Sequence, residues 1–157
     1  MKLKNLFKLM GALVVCQMAG VVGAVFTVSQ VKDWYPTLVK PALNPPSWVF
    51  GPVWSGLYLL MGVALYLVWE SNSKDKKWAL WLFGIQLALN AIWSPVFFGA
   101  HLIGVTLVII ILMWVAIVMT ISAFSKVSKP AAALLAPYIV WVSFATYLNF
   151  ALWWLNK

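Results

Sequence analysis

Arginine does not occur in this chain, and only three residues are acidic: Asp33, Glu70 and Asp75. One cysteine, Cys16, and one histidine, His101, complete a short supply of reactive side chains. A single cysteine rules out a disulfide framework and a cysteine metal cluster. The lone histidine has no C-x-x-C-H or H-E-x-x-H context, so no metal site is expected. The three acids fall in loops or at the end of an apolar run, leaving no carboxylate pair for acid–base or hydrolytic work. No acidic residue and no lysine lies deep in an apolar run, where proton relays and ion pathways usually need one. A pump or ion-coupled transporter is therefore not expected. His101, at the tip of a tight turn, is read as a solvated interfacial residue rather than an axial haem ligand. Cys16 is read as a small apolar residue within a helix.

Charge is scarce throughout. Only 9% of residues are charged and 64% are hydrophobic, with a mean hydropathy of +0.95. Soluble domains carry about 25% charged residues, so this chain cannot clothe a water-facing surface. The net charge of +8 comes from eleven lysines. They lie between apolar runs and form no basic helix face, which favours anionic headgroups over nucleic acid as their partner.

What the chain has in abundance is apolar length. Five runs stand out, about Phe7 to Val28, Trp48 to Trp69, Lys77 to Phe98, Leu102 to Phe124, and Ala131 to Leu155. Each matches the roughly 20 residues that cross a bilayer as a helix, and in lipid the backbone must satisfy its own hydrogen bonds. The expected fold is all-α, a five-transmembrane-helix bundle forming one integral membrane domain over residues 1–157. The first run, behind Lys2, Lys4 and Lys8, resembles a signal peptide ending at Val22-Gly23-Ala24, but its length marks it as a retained span. The longest connection, Ser29 to Ser47, holds four prolines and the pair Trp34-Tyr35. Proline discourages continued helix, so this loop is predicted to form an ordered lid. Lys2, Lys4, Lys8, Lys74, Lys76, Lys77, Lys126 and Lys129 fall on one side, against Lys32, Lys40 and Lys157 on the other. The positive-inside rule then puts the N-terminus inside, and the proline-rich loop and C-terminus outside.

Eleven tryptophans are the second excess. Trp48, Trp69, Trp78, Trp153 and Trp154 lie at span ends, where an interfacial aromatic belt belongs. Trp54, Trp93, Trp114 and Trp141 lie further in. At 1.5 Å per residue, Trp54 and Asn90 are roughly 12 Å deep, Trp93 is shallower, and Trp141 is about 20 Å down. Gln86, Asn90, Trp93 and Phe97 share one helix face, as do Trp54 and Tyr58, and also Tyr138, Trp141, Ala145 and Leu148. Amides facing lipid are costly, so Gln86 and Asn90 should point inward. Two arrangements satisfy this pattern: a filled interior with interhelical amide bonds, or an aromatic-walled pocket with a few polar groups. Ala19 with Gly23, and Gly84 with Ala88, have the small-xxx-small spacing that lets helices approach closely, within one bundle or between two.

Trp34-Tyr35-Pro36, Lys40-Pro41 and the block from Asn44 to Trp54 (NPPSWVFGPVW) resemble the TspO/MBR family of tryptophan-rich sensory proteins and mitochondrial translocator proteins. The likeness continues through Leu57-Tyr58, Asn90 to Gly99, Pro137-Tyr138 and Trp141 to Asn149. It implies a bacterial member, in the cell membrane, with a ligand pocket beneath the first loop. It also implies a receptor or sensor that binds porphyrins such as protoporphyrin IX and haem, along with hydrophobic drug-like compounds. Porphyrin would be a ligand, with no cofactor required, and a homodimer through the third helix is implied. Transport of porphyrins or lipid-like molecules is the alternative activity. Carried over by position, Trp34 and Tyr35 belong to the lid and Pro45 to its rim. Trp54, Tyr58, Asn90, Trp93, Trp141, Ala145 and Leu148 line the pocket. The family's association with light-dependent porphyrin breakdown gives Trp54 and Trp141 a photochemical role. The sterol-associated Tyr and Arg of animal members have no counterpart in Leu148 to Trp154, so sterol transport is not expected.

Overall fold

The computed structural model describes residues 3–157, and of Lys4 the backbone alone. Lys2, counted above with the lysine-rich side, lies outside the described residues, as does the Lys4 side chain. Six α-helices form among the described residues, in chain order α1 (Leu3–Asp33), α2 (Phe50–Glu70), α3 (Lys76–Ser94), α4 (Ile103–Val127), α5 (Lys129–Leu134) and α6 (Ala136–Leu155). No strand occurs among the described residues. Among the described residues, five helical segments are long and apolar enough to cross a membrane, with α5 and α6 together making the fifth, Lys129–Leu155.

Two prolines shape the segments that bound the site. Pro137 has no N–H to offer the carbonyl four residues back, so the last span breaks at Leu135 and restarts as α6. Pro95 opens a wide π-turn over Pro95–Gly99, closed by Ala100 N–H donating to Pro95 O at 3.0 Å. That turn buries Phe97 and Phe98 beneath the lid. The first helix runs past both expected ends, to Leu3 and to Asp33. Lysine, serine and glutamine do not break a helix, and the lid begins only as Pro36 is approached.

The helices close a ring in which α1 packs on α2 and α3, and α4 packs on α3 and α6. At the end away from the lid, α2 leans on the short α5. There Lys8 pairs with Glu70 to tie α1 to α2. Gly62 allows α1 and α2 to touch, since a Cβ on it would lie 2.9 Å from Leu13 Cα. At Gly51, near the lid, a Cβ would meet nothing within 4 Å. Towards the lid the two helices leave a wedge between them, which residues of both line. The core beneath this wedge is filled by Met61, Ile110, Met113, Ile117, Tyr138 and Val142.

Candidate functional site

A cavity of about 500 Å³ occupies the wedge under the lid. Helix α2 supplies Phe50, Trp54 and Tyr58, α3 supplies Asn90 and Trp93, and α6 supplies Trp141, Ala145, Leu148 and Asn149. Each set follows the three- and four-residue spacing that brings side chains to one helix face. The lid contributes Tyr35 to the lining. Trp34 is not a lining residue; it stacks on His101 at 4.0 Å and packs edge-on against Phe97 at 5.5 Å. Pro45 also stands outside the lining. The deep tryptophans divide, because Trp114 turns away and donates to Ser143 Oγ at 2.8 Å.

The aromatic walls are fixed by one another. Trp54 stacks on Tyr58 at 5.6 Å and meets Tyr138 edge-on at 6.3 Å. Trp93 stacks on Phe97 at 4.8 Å, and Trp141 lies edge-on to Phe50 at 6.0 Å. Stacked and edge-on pairs are the favourable arrangements for ring quadrupoles.

Below the rings runs a polar chain. Tyr58 OH donates to Asn90 Oδ1 at 2.6 Å, Asn90 Nδ2 donates to Tyr138 OH at 3.0 Å, and Tyr138 OH donates to Gln86 Oε1 at 2.8 Å. Both amides face inward and are buried. At the side, Trp93 Nε1 donates to Asn149 Oδ1 at 3.0 Å, while Asn149 Nδ2 donates to Ile103 O at 3.1 Å. Trp141 Nε1 is buried with no partner among the described residues. An indole N–H is a donor only, so this one is a buried donor left unsatisfied in the wall.

The lining also includes residues that the aromatic pattern did not single out. Helix α1 contributes Gln17, Gly20, Gly23, Ala24 and Lys32. Gly20 is needed there, because a Cβ would lie 2.7 Å from the Tyr58 ring. The run of small residues at three- and four-residue spacing was the available signal for this wall. Asn149 could have been found by the argument that turned Gln86 and Asn90 inward.

His101 is exposed, as its loop position implied, but it is not idle. Its backbone takes a positive φ of 57°, a conformation with a cost for residues other than glycine. The Trp34 stack and a 3.0 Å bond between Nε2 and Gln30 Oε1 hold it there. It does not line the cavity. The lid is also bonded within itself, by Tyr35 OH donating to Asn44 Oδ1 at 2.6 Å. Burial raises the Tyr35 phenol pKa above its ordinary value.

Fold and site together define an all-helical membrane protein whose spans enclose an aromatic cavity under a proline-rich lid. Sequence comparison makes the class specific. The chain belongs to the TspO/MBR family, whose sequence model matches residues 12–155. It is 48% identical over 145 residues to the tryptophan-rich protein TspO of Chlorobaculum tepidum, covering 90% of each chain. It is 43% identical over 135 residues to the human translocator protein, covering 84% of this chain and 80% of that one. Against the tryptophan-rich sensory protein of Cereibacter sphaeroides the identity is 39% over 124 residues, covering 79% and 77% respectively.

Proposed function

We propose that the protein is a membrane receptor or sensor that holds a flat aromatic macrocycle, of the porphyrin class, in the cavity beneath its lid. The names of its relatives, sensory and translocator proteins, support the general role. The observation that carries the ligand class is the set of indole and phenol rings from α2, α3 and α6 around one space. Its volume lies within the roughly 300–1,000 Å³ of small-molecule sites. Each aromatic pair with a planar guest adds about 0.5–1.5 kcal/mol beyond burial. The second N–H of Asn90 would meet an acceptor on the guest.

Protoporphyrin IX and haem also carry carboxylates, which are costly to bury in apolar surroundings. Lys32 lines the cavity and has no ion-pair partner among the described residues. Lys40 is held instead by Pro36 O at 3.3 Å and lies over the Tyr35 ring at 5.2 Å. Lys32 is thus the better partner for a propionate. Drug-like aromatic molecules would use the same walls without that ion pair.

Light adds a second chemistry to the same site. An excited porphyrin held against Trp54 or Trp141 would take one electron from the indole, leaving an indole radical cation and a porphyrin radical anion, and dissolved dioxygen would be the oxidant that carries the porphyrin on to breakdown. The test is a titration with protoporphyrin IX in darkness and under illumination. Tryptophan quenching should saturate in the dark, and the Soret band should decline only in the light. Trp54→Phe and Trp141→Phe should slow that decline several-fold. Unchanged loss in both variants would remove the photochemical role while leaving binding intact.

Two further features belong to this reading. Gly84 and Ala88 are exposed on the outer face of α3, and a Cβ on Gly84 would meet nothing within 4 Å. This face suits a homodimer in the bacterial cell membrane. In contrast, Ala19 is buried within the bundle and a Cβ on Gly23 would lie 3.2 Å from Ser94 Oγ. The lysine-rich end faces the cytoplasm in this proposal, with the lid and C-terminus outside.

A further inference from the structure

One contact of the lid spans 117 residues of sequence and involves neither Trp34 nor Tyr35. Asn156 follows α6 directly. Its Oδ1 accepts from Val39 N–H at 2.9 Å, and its Nδ2 donates to Val39 O, also at 2.9 Å. A carboxamide has both a donor and an acceptor, so one side chain satisfies both backbone groups of a lid residue. The same Nδ2 reaches Leu152 O at 2.8 Å, and Asn156 N–H donates to Leu152 O at 3.1 Å. The amide is therefore fixed against the last turn of α6 before it meets the lid.

The placement of this clasp links roof to wall. Leu148, Leu152 and Asn156 recur every four residues, which puts them along one side of α6. The first two line the cavity, and the third grips the loop between Tyr35 and Ser47, the two loop residues that line it. Val39 is 57% exposed, so apolar burial does little to hold this stretch down. The flanking Pro36 and Pro41 keep it short of alternative conformations.

We propose that Asn156 is the positioning residue of the lid: its two-sided bond to Val39 holds the roof on α6, and release of that bond is the step that opens the cavity. This rests on the cavity being a binding site. The chemistry is specific to asparagine. Aspartate would set a carboxylate oxygen against Val39 O, and alanine would leave both groups of Val39 unpaired.

Amide hydrogen exchange of the ligand-free protein in nanodiscs tests the clasp itself. In Asn156→Ala and Asn156→Asp the Val39 amide should exchange about ten-fold faster, the scale of a lost pair of hydrogen bonds. The Asn44 amide, bonded within the lid to Pro41 O at 3.0 Å, should change less than about two-fold by the same reasoning. Val39→Pro removes the donor from the lid side and leaves α6 untouched. Leu38 already has φ −76° and ψ 142°, the extended form a residue before proline prefers.

Stopped-flow quenching by protoporphyrin IX then reads the gate. A clasp that opens the roof predicts that entry and exit rates rise by the same factor in Asn156→Ala and Val39→Pro, with little change in Kd. Unaltered Val39 exchange in Asn156→Ala would overturn the proposal. So would faster exchange with unaltered rates, or a change in exit rate alone, which marks a ligand contact. Failure of protoporphyrin IX to quench the wild type would defeat the ligand reading, while the exchange data would still decide whether Asn156 holds the lid.

Discussion

Asn90 sits between two phenols, and its value to the fold lies in what it would leave behind. Replacing it with leucine strips Tyr58 OH of its acceptor and Tyr138 OH of a donor. A buried polar group left unpaired costs about 1–3 kcal/mol. Asn90→Leu should lower the thermal unfolding midpoint in detergent by several degrees, and a midpoint within one degree of wild type would show the chain to be dispensable. Tyr35 gives a second expectation. Burial raises its pKa above the ordinary value near 10. The folded state therefore favours the proton, and stability from this group is full below pH 10 and lost as pH rises beyond it. Absorbance titration of tyrosinate, as a difference between wild type and Tyr35→Phe, should show Tyr35 ionising only above the ordinary range. The inward amides were legible in sequence because lipid punishes an exposed carboxamide. The fate of Trp114 was not, since a helix apolar all round gives no clue to which indole faces neighbours and which faces out.

Helices obey the same division between local and remote causes. Five spans can be read from apolar length alone, and the lid from its prolines. The ends of α1 could not, because its flanking polar residues are compatible with helix. Nor does any local pattern mark Val39 and Asn156 as partners, since their bond joins distant parts of the chain. The glycines separate cleanly by what surrounds them. Gly62→Val would force a Cβ against Leu13 backbone, and overpacking of this kind costs about 1–3 kcal/mol. Gly84→Val meets open space. The first should lower thermal stability and loosen α1 from α2. The second should leave stability unchanged and reduce crosslinked dimer in native membranes; dimer at the wild-type level would move the interface off α3.

For the molecule as a whole, the cavity is a consequence of how five spans are connected and where two of them part. Lys8 with Glu70, Gly62 against Leu13, and α2 against α5 close the end away from the lid. Towards the lid, past Gly20 against Tyr58, residues of α1 and α2 line a common space, and aromatic side chains furnish its walls. That space was one of two arrangements compatible with the spacing of Trp54, Asn90 and Trp141, and only assembled helices distinguish it from a filled core.

Ala145 offers the most direct test, because it lines the cavity beside Trp141 without joining the polar chain. Ala145→Phe would place a ring in the space reserved for a guest. Titrating wild type and Ala145→Phe with protoporphyrin IX in the dark, at matched thermal stability, should show saturable tryptophan quenching in the first and at least a ten-fold weaker Kd in the second. Equal affinity in the two would mean that porphyrin binds elsewhere, and that the cavity is not the receptor site.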